Sequence, residues 1–246
     1  VLQSTIKFMI DGVDEHDPEL IGLVRTLIQP PHDRSQLNLF DKKKKVHSQQ
    51  NQSSIIDNLL NQQTNGFFVE SGAFNGETYS NTLFFELERN WTGLLIEPIP
   101  NLYFDLIRKR RNVYSINACI ADKRPFVTKF LMANEFSGLE HEMSSERKSF
   151  LSTKKSYVDY YYLPCFSLNT IMSALNRTTI DYFSLDVEGA EQRILQSIDF
   201  QKLNIRSFSI EWFSQNNSKL QIKELLEANG YSLRQEDYSD FYFTKK

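Results

Sequence analysis

Phe67-Phe68-Val69-Glu70-Ser71-Gly72-Ala73-Phe74-Asn75-Gly76-Glu77, residues 67–77, decides the reading of this chain. A short apolar run ends in an acid, and two glycines follow at 72 and 76. The run reads as a buried strand. Glycines between a strand and a helix mark a turn where backbone approaches a ligand closely. The helix read over 77–90 then turns free N–H groups toward a carboxylate or a phosphate. Plain connecting turns also hold glycines, so the weight of this one depends on what stands around it.

Two further stretches stand where such a turn needs them. Leu95-Ile96-Glu97-Pro98 follows at the end of a second apolar run, about 20 residues on, where an acid can accept both hydroxyls of a ribose. Ser184-Leu185-Asp186-Val187-Glu188-Gly189-Ala190-Glu191 ends a later strand and opens a helix. Glu188 and Glu191 suit a helix N-terminus electrostatically, and Asp186 fits that explanation less well. Glu70, Glu97, Asp186 and Glu211 all fall at predicted strand C-termini. In open α/β sheets the ligand crevice lies outside those ends, and four acids on one rim suit a cationic ligand, such as a sulfonium or a divalent metal.

From Phe67 onward strands and helices alternate. Strands are predicted at 67–69, 93–96, 113–120, 180–187 and 205–212, and a closing pair at 231–235 and 240–244. Helices are predicted over 77–90, 101–110, 188–198 and 220–229. This order implies a mainly parallel sheet with helices on both faces and an antiparallel edge. An insertion at about 123–164 is predicted to add strands and a short helix. Residues 1–66 form an N-terminal helical extension: a helix from Asp17-Pro18 to Ile28, a polar loop or mobile segment from His32, and a helix over 53–63. The domain proper is 67–246.

Composition sets the outer bounds. The 246 residues, 40% hydrophobic, are enough for one domain with a sizeable core. A net charge of −3 gives no overall bias toward nucleic acid. The one basic block, Lys42 to Lys45, reads as a solvated loop or as a contact for lipid or polyanion. No apolar run approaches the ~20 residues that span a bilayer. The chain begins at Val1, so any signal peptide or membrane anchor is expected upstream. Cys119 and Cys165 make no metal motif and are either buried thiols or one disulfide. Four N-x-S/T sequons, at Asn51, Asn90, Asn176 and Asn216, favour a lumenal or extracellular setting with one disulfide.

The segments VESGAFNGETYSNTLFFE, WTGLLIEP, NACIA, LPCFSLNTI, DYFSLDVEGAEQRIL and SIEW, in this order from about Phe67 to the C-terminus, resemble the FkbM-type methyltransferase domain family. The wording of GETYSNTLFFE and WTGLLIEP is most similar to the animal Star-like branch, named for a membrane-tethered protein of the secretory pathway. The resemblance implies a class I methyltransferase-like, Rossmann-like sheet of seven strands and S-adenosylmethionine as cofactor. Glu70, Gly72 and Gly76, with Ala73 and Asn75 of the same turn, would line the methionine end. Glu97, followed by Pro98, would bind the ribose. Asn117, Ala118 and Asp122 would sit near the adenine. Asp186 and Glu188 would flank the transferred methyl group, and Cys119 would be bridged to Cys165. The sequence departs from the pattern at Phe74, a bulky side chain two positions after the first glycine of the turn, where methyltransferases often carry a small one.

These readings predict transfer of a methyl group to an oxygen or nitrogen of a small-molecule or protein acceptor. A hydroxyl acceptor needs a base, for which Asp186, Glu188 and Glu211 are the candidates, with His141 in the insertion a fourth. Tyr157, Tyr160, Tyr161 and Tyr162 line an acceptor pocket or pack on an edge strand. Two rival functions share the fold: a non-catalytic domain that binds protein cargo or a ligand, and a sugar-nucleotide or metal-dependent enzyme.

Overall fold

A computed structural model describes residues 9–132, 138–139, 149, 159–187, 189–212 and 218–246. Its centre is a seven-stranded sheet. In chain order the strands are β1 (Phe67–Ser71), β2 (Thr92–Ile96), β3 (Tyr114–Ile116), β9 (Tyr182–Leu185), β11 (Ser207–Glu211), β12 (Tyr231–Glu236) and β13 (Asp240–Lys245). Across the sheet they run β12-β13-β11-β9-β1-β2-β3. The five from β11 to β3 are parallel, and β13 is antiparallel to both neighbours. Strand order reverses between β1 and β9, which opens a crevice above their C-terminal ends. This is the class I methyltransferase-like sheet expected from the sequence.

Both faces are covered because both faces are apolar. Phe67, Val69, Phe183 and Ile210 point to one side, where helices α1 (Pro18–Leu27), α5 (Leu168–Ala174), α6 (Glu191–Ser197) and α7 (Ser218–Ala228) supply the rest of the core. Phe68, Leu95, Tyr182 and Tyr242 point to the other, against α2 (Gln52–Leu59), α3 (Leu83–Arg89) and α4 (Pro100–Arg108). The alternation along each strand is what delivers a different set to each face. The N-terminal extension is therefore built into both layers, with Leu20 and Val24 of α1 in one core and Ile56 of α2 in the other.

Four expectations need correction. The helix predicted over 77–90 is only α3, because Ser80, Asn81 and Thr82 donate to the Glu70 carboxylate instead of starting a helix. The strand predicted over 113–120 is two strands. After β3 the chain leaves the main sheet, and β4 (Cys119–Ala121) pairs with β7 (Asp159–Ser167) in a second sheet of order β4-β7-β5-β6. The strand predicted over 180–187 is likewise β8 (Thr179–Ile180), which pairs with β10 (Asn204–Ile205), and then β9.

The polar segment after His32 is the fourth. It is a loop, one of the two readings, but it is tied along the body as a strap and is not the alternative, a mobile segment. Asn38 N–H donates to Lys109 O at 2.8 Å, and the N–H groups of Phe40 and Asp41 donate to the Glu77 carboxylate at 2.8 Å each. Ser48 bridges Tyr79, and Gln50 Oε1 accepts from Ser239 Oγ.

The insertion adds β5 (Phe126–Met132), β6 (Gly138–Leu139) and β7, as expected. Cys119 and Cys165 face each other across β4 and β7 and form a disulfide, with Cα atoms 4.4 Å apart. The short helix predicted in the insertion, His141, Tyr157, Glu188 and Asn216 lie outside the described residues. Among the described residues no helix is long and apolar enough to cross a membrane.

Candidate functional site

The crevice above β1, β2, β9 and β11 holds a cavity of about 330 Å³. Its walls include Glu70, Gly72, Ala73 and Phe74 from the glycine turn, Glu97 and Pro98 after β2, and Asp186 and Glu211 after β9 and β11. Residues at the ends of four strands thus meet in one place.

The turn is shaped by close approach. Gly72 has φ +84°, and a Cβ there would lie 1.9 Å from Asp186 O, so only glycine lets the β1 loop cross the end of β9. Gly72 N–H and Ala73 N–H donate to Ile96 O at 3.1 and 3.2 Å, which ties the turn to β2. Asn75 lies beyond the cavity wall, where its Oδ1 accepts from the N–H groups of Glu77 and Thr78. Gly76 backs onto Leu106 with φ +76°, and its carbonyl accepts from Arg111 Nη1. Both residues shape the turn from behind.

Phe74 lies in the cavity wall, its ring centroid 6.4 Å from that of Tyr79. The cavity stays within the ~300–1,000 Å³ range of small-molecule sites with that ring in place.

Glu70 is 3% exposed. Its carboxylate accepts from Ser80 Oγ at 2.9 Å, Asn81 N–H at 2.6 Å and Thr82 Oγ1 at 2.6 Å, with Arg111 Nη1 at 3.9 Å. Burial pushes this carboxyl up, against the pull of Arg111 and those three donors. Glu70 touches the cavity but is committed to holding the 77–82 loop.

Glu97 is also 3% exposed, with Oε2 accepting from Phe74 N–H and Oε1 from Ile99 N–H, each at 2.8 Å. Burial pushes the Glu97 carboxyl up to about 8, with the two backbone donors pulling the other way. Each oxygen retains a second lone pair for a ligand hydroxyl.

On the opposite bank, Ile210 pairs with Leu185, so Glu211 and Asp186 follow side by side at the strand ends. Glu191 joins them from α6. It is 4% exposed, and its Oε1 accepts from Val187 N–H at 3.0 Å and Gly189 N–H at 3.2 Å. Asp186, Glu191 and Glu211 each place an oxygen within 4.8 Å of the others. The sequence reading treated Glu191 as a helix-start acid, and its part in this group was missed.

The remaining candidates sit behind the wall. Asn117 Nδ2 donates to the carbonyls of Glu97 and Pro98 at 2.8 and 3.1 Å, Ala118 is buried in the core, and Asp122 lies outside the lining. The neighbours Cys119 and Ile120 line the cavity instead, with Ile99, Leu102 and Ile194 as further apolar surface. Gln49 of the strap and Asn81 complete the polar end. Neither carried a local signal. A hydrophobic turn after Glu97-Pro98 was readable, and it is what brings Ile99 and Leu102 in.

The chain was compared with known proteins. No curated relative matches its sequence. Among solved structures, a methyltransferase from Pyrococcus furiosus is 14% identical over 85% of this chain and 89% of that one, with a TM-score of 0.43. Human methyltransferase 10 domain containing protein is 12% identical over 92% and 96%, also with a TM-score of 0.43. Aeropyrum pernix fibrillarin, in complex with S-adenosyl-L-methionine, is 12% identical over 74% and 67%, with a TM-score of 0.38. These are distant likenesses. The Methyltransferase FkbM domain, by contrast, matches residues 70–233, well over half of the 246. That span runs from Glu70 through Glu97, Asp186 and Glu211 to the start of β12. The chain belongs to the methyltransferase FkbM domain family.

Proposed function

We propose that this chain is an S-adenosylmethionine-dependent methyltransferase acting on an oxygen or nitrogen of a small-molecule or protein acceptor. The observation that carries the reading is the pairing of the glycine turn with Glu97 in one wall of the 330 Å³ cavity. Glu97 is positioned by the turn itself through Phe74 N–H and can take the ribose hydroxyls. Gly72 and Ala73, with little or no side chain, line the cavity beside the place where the methionine end would lie. The apolar surface of Ile99, Leu102 and Ile120 suits an adenine ring.

When bound, the cofactor supplies a methyl group on a positively charged sulfur, and the C–S bond breaks as the acceptor's lone pair forms the new bond to carbon. The chain's own contribution is to hold the two partners in line and keep water out, the effect that dominates such displacements. Acids on the β9–β11 bank favour a cationic group beside them. Asp186 or Glu211 then takes the proton that the acceptor gives up.

Thermal shift tests the reading. S-adenosylmethionine and S-adenosylhomocysteine are expected to raise the melting temperature by several degrees, and ATP is not. Equal shifts with all three, or none at millimolar concentration, would remove it.

A lumenal or extracellular location and a Star-like affiliation belong to the same proposal. The Cys119–Cys165 disulfide and the exposed Asn51, Asn90 and Asn176 support it. Expression in insect cells should yield a protein whose mass falls on treatment with an N-glycosidase. An unchanged mass would argue against that location.

A further inference from the structure

Methyl transfer as proposed calls for one base beside the acceptor, yet three carboxylates converge. Oxygens of Asp186, Glu191 and Glu211 lie within 4.8 Å of one another. The fold enforces this closeness: the β9–β11 register sets Asp186 beside Glu211, and two backbone N–H groups hold Glu191 at the start of α6.

A second observation is independent of the acids. Asn81 is 8% exposed and lines the same cavity. Its Nδ2 donates to Ser184 Oγ at 3.0 Å, while its Oδ1 is buried with no hydrogen-bond partner. Ser184 is in β9 and Asp186 follows its last residue, and Asn81, Ser184, Asp186 and Glu211 all line the one cavity. A buried amide oxygen without a donor is costly, typically by about 1–3 kcal/mol. Three carboxylates and an amide oxygen form an all-oxygen donor set, which selects a hard divalent cation over zinc or copper.

We propose that Asp186, Glu191 and Glu211, with Asn81 Oδ1 flanking them, bind a divalent cation of the Mg²⁺, Mn²⁺ or Ca²⁺ class at the polar end of the cavity. Binding of the ion does not depend on methyl transfer. If the proposed function holds, the ion narrows the acceptor to a molecule that can coordinate it, a hydroxyl in the first place, since coordination lowers the pKa of the attacking oxygen. With the ion bound, the carboxylates serve as ligands, and the proton goes to water instead of to Asp186 or Glu211.

The probe is the metal alone. Protein stripped with a chelator is titrated with Mn²⁺ and followed by paramagnetic resonance of the free ion, and with Mg²⁺ and Ca²⁺ by calorimetry. One ion per chain is expected, with a higher melting temperature. Asp186→Asn and Glu211→Gln should each lose at least tenfold in Mn²⁺ affinity while keeping the wild-type circular dichroism spectrum. Asn81→Ala should lose less, at unchanged stoichiometry. No bound Mn²⁺ at millimolar concentration overturns the proposal, as does equal affinity in the Asp186→Asn, Glu211→Gln double variant. A parallel S-adenosylhomocysteine titration of the metal-free protein separates failure of the ion site from failure of the cofactor site.

Discussion

On the β1–β2 bank of the crevice the buried carboxylates stand apart, each among donors from its own chain, whereas on the β9–β11 bank three carboxylates lie within 4.8 Å of one another. Glu70 has Ser80, Asn81, Thr82 and Arg111. Glu86 has Arg111 Nε at 2.7 Å and Asn112 N–H at 2.7 Å. Glu77 has Lys109 Nζ at 2.6 Å and two N–H groups of the strap, and these outweigh burial and hold its carboxyl below the usual range. Buried acids of this first kind are structural. They staple loops that carry no regular hydrogen bonding of their own. Asp186 and Glu211 line the cavity where a ligand would sit, and Glu191, which holds the N–H groups of Val187 and Gly189, places an oxygen within 4.8 Å of theirs. The same residue type at the rim of the sheet therefore stands in two settings, one that staples a loop and one that groups acids around the cavity.

The contrast is broken most forcefully at Arg111. Arg111→Met leaves Glu70 and Glu86 buried without their cation, and the loss expected for a broken buried pair is about 3–5 kcal/mol. Urea denaturation measures it. Asp186→Asn in the same assay should change stability by less than about 1 kcal/mol, because Asp186 is half-buried at the cavity wall. Equal losses in the two variants would erase the distinction between the banks.

Glu97 lies between the two kinds, since its donors are backbone N–H groups and it also lines the cavity. Glu97→Ala should weaken cofactor binding by about 10- to 100-fold, the worth of one to two charge-assisted hydrogen bonds. A competition assay with S-adenosylhomocysteine reads this directly. Unchanged affinity would place Glu97 with the structural acids.

The smallest effect is in pH. The folded-state pKa of Glu97, about 8, is above its unfolded value. The stabilisation that comes from holding this proton is therefore fully present below the unfolded pKa and is lost as pH rises through 8. Ribose hydroxyls donate, and so they favour the ionised form. Cofactor affinity should rise by severalfold from pH 6.5 to pH 9 while the stability of the free protein declines. Calorimetry in two buffers of different ionisation enthalpy should show proton release on binding near pH 7. Proton uptake there would contradict the assignment.

Much of the sheet was legible because strand and helix periods are local. Phe67 to Val69, Leu94 to Ile96 and Tyr182 to Leu185 announce themselves, and Glu97 follows from its distance to the glycine turn. What was not legible depends on partners far away in sequence. Nothing near Phe40 reveals that Glu77 will hold its N–H, and so the strap read as a loop or mobile segment. Ser80, Asn81 and Thr82 look like ordinary helix-start residues, yet the carboxylate ten to twelve positions upstream claims them. Glu191 resembled any acid favoured by a helix dipole. Its place in the acid group comes from the backbone turn at 187–189, which periodicity does not report. Gln49 enters the cavity from outside the span matched by the family, carried there by the strap.

The central claim is that the cavity beside Glu97 binds S-adenosylmethionine. Isothermal titration of the purified chain with S-adenosylmethionine, run alongside Glu97→Ala, tests it most directly. The account predicts one cofactor per chain at micromolar affinity for the wild type and a loss of at least tenfold in the variant. No heat from the wild type at millimolar cofactor, or the same isotherm from both proteins, would contradict it.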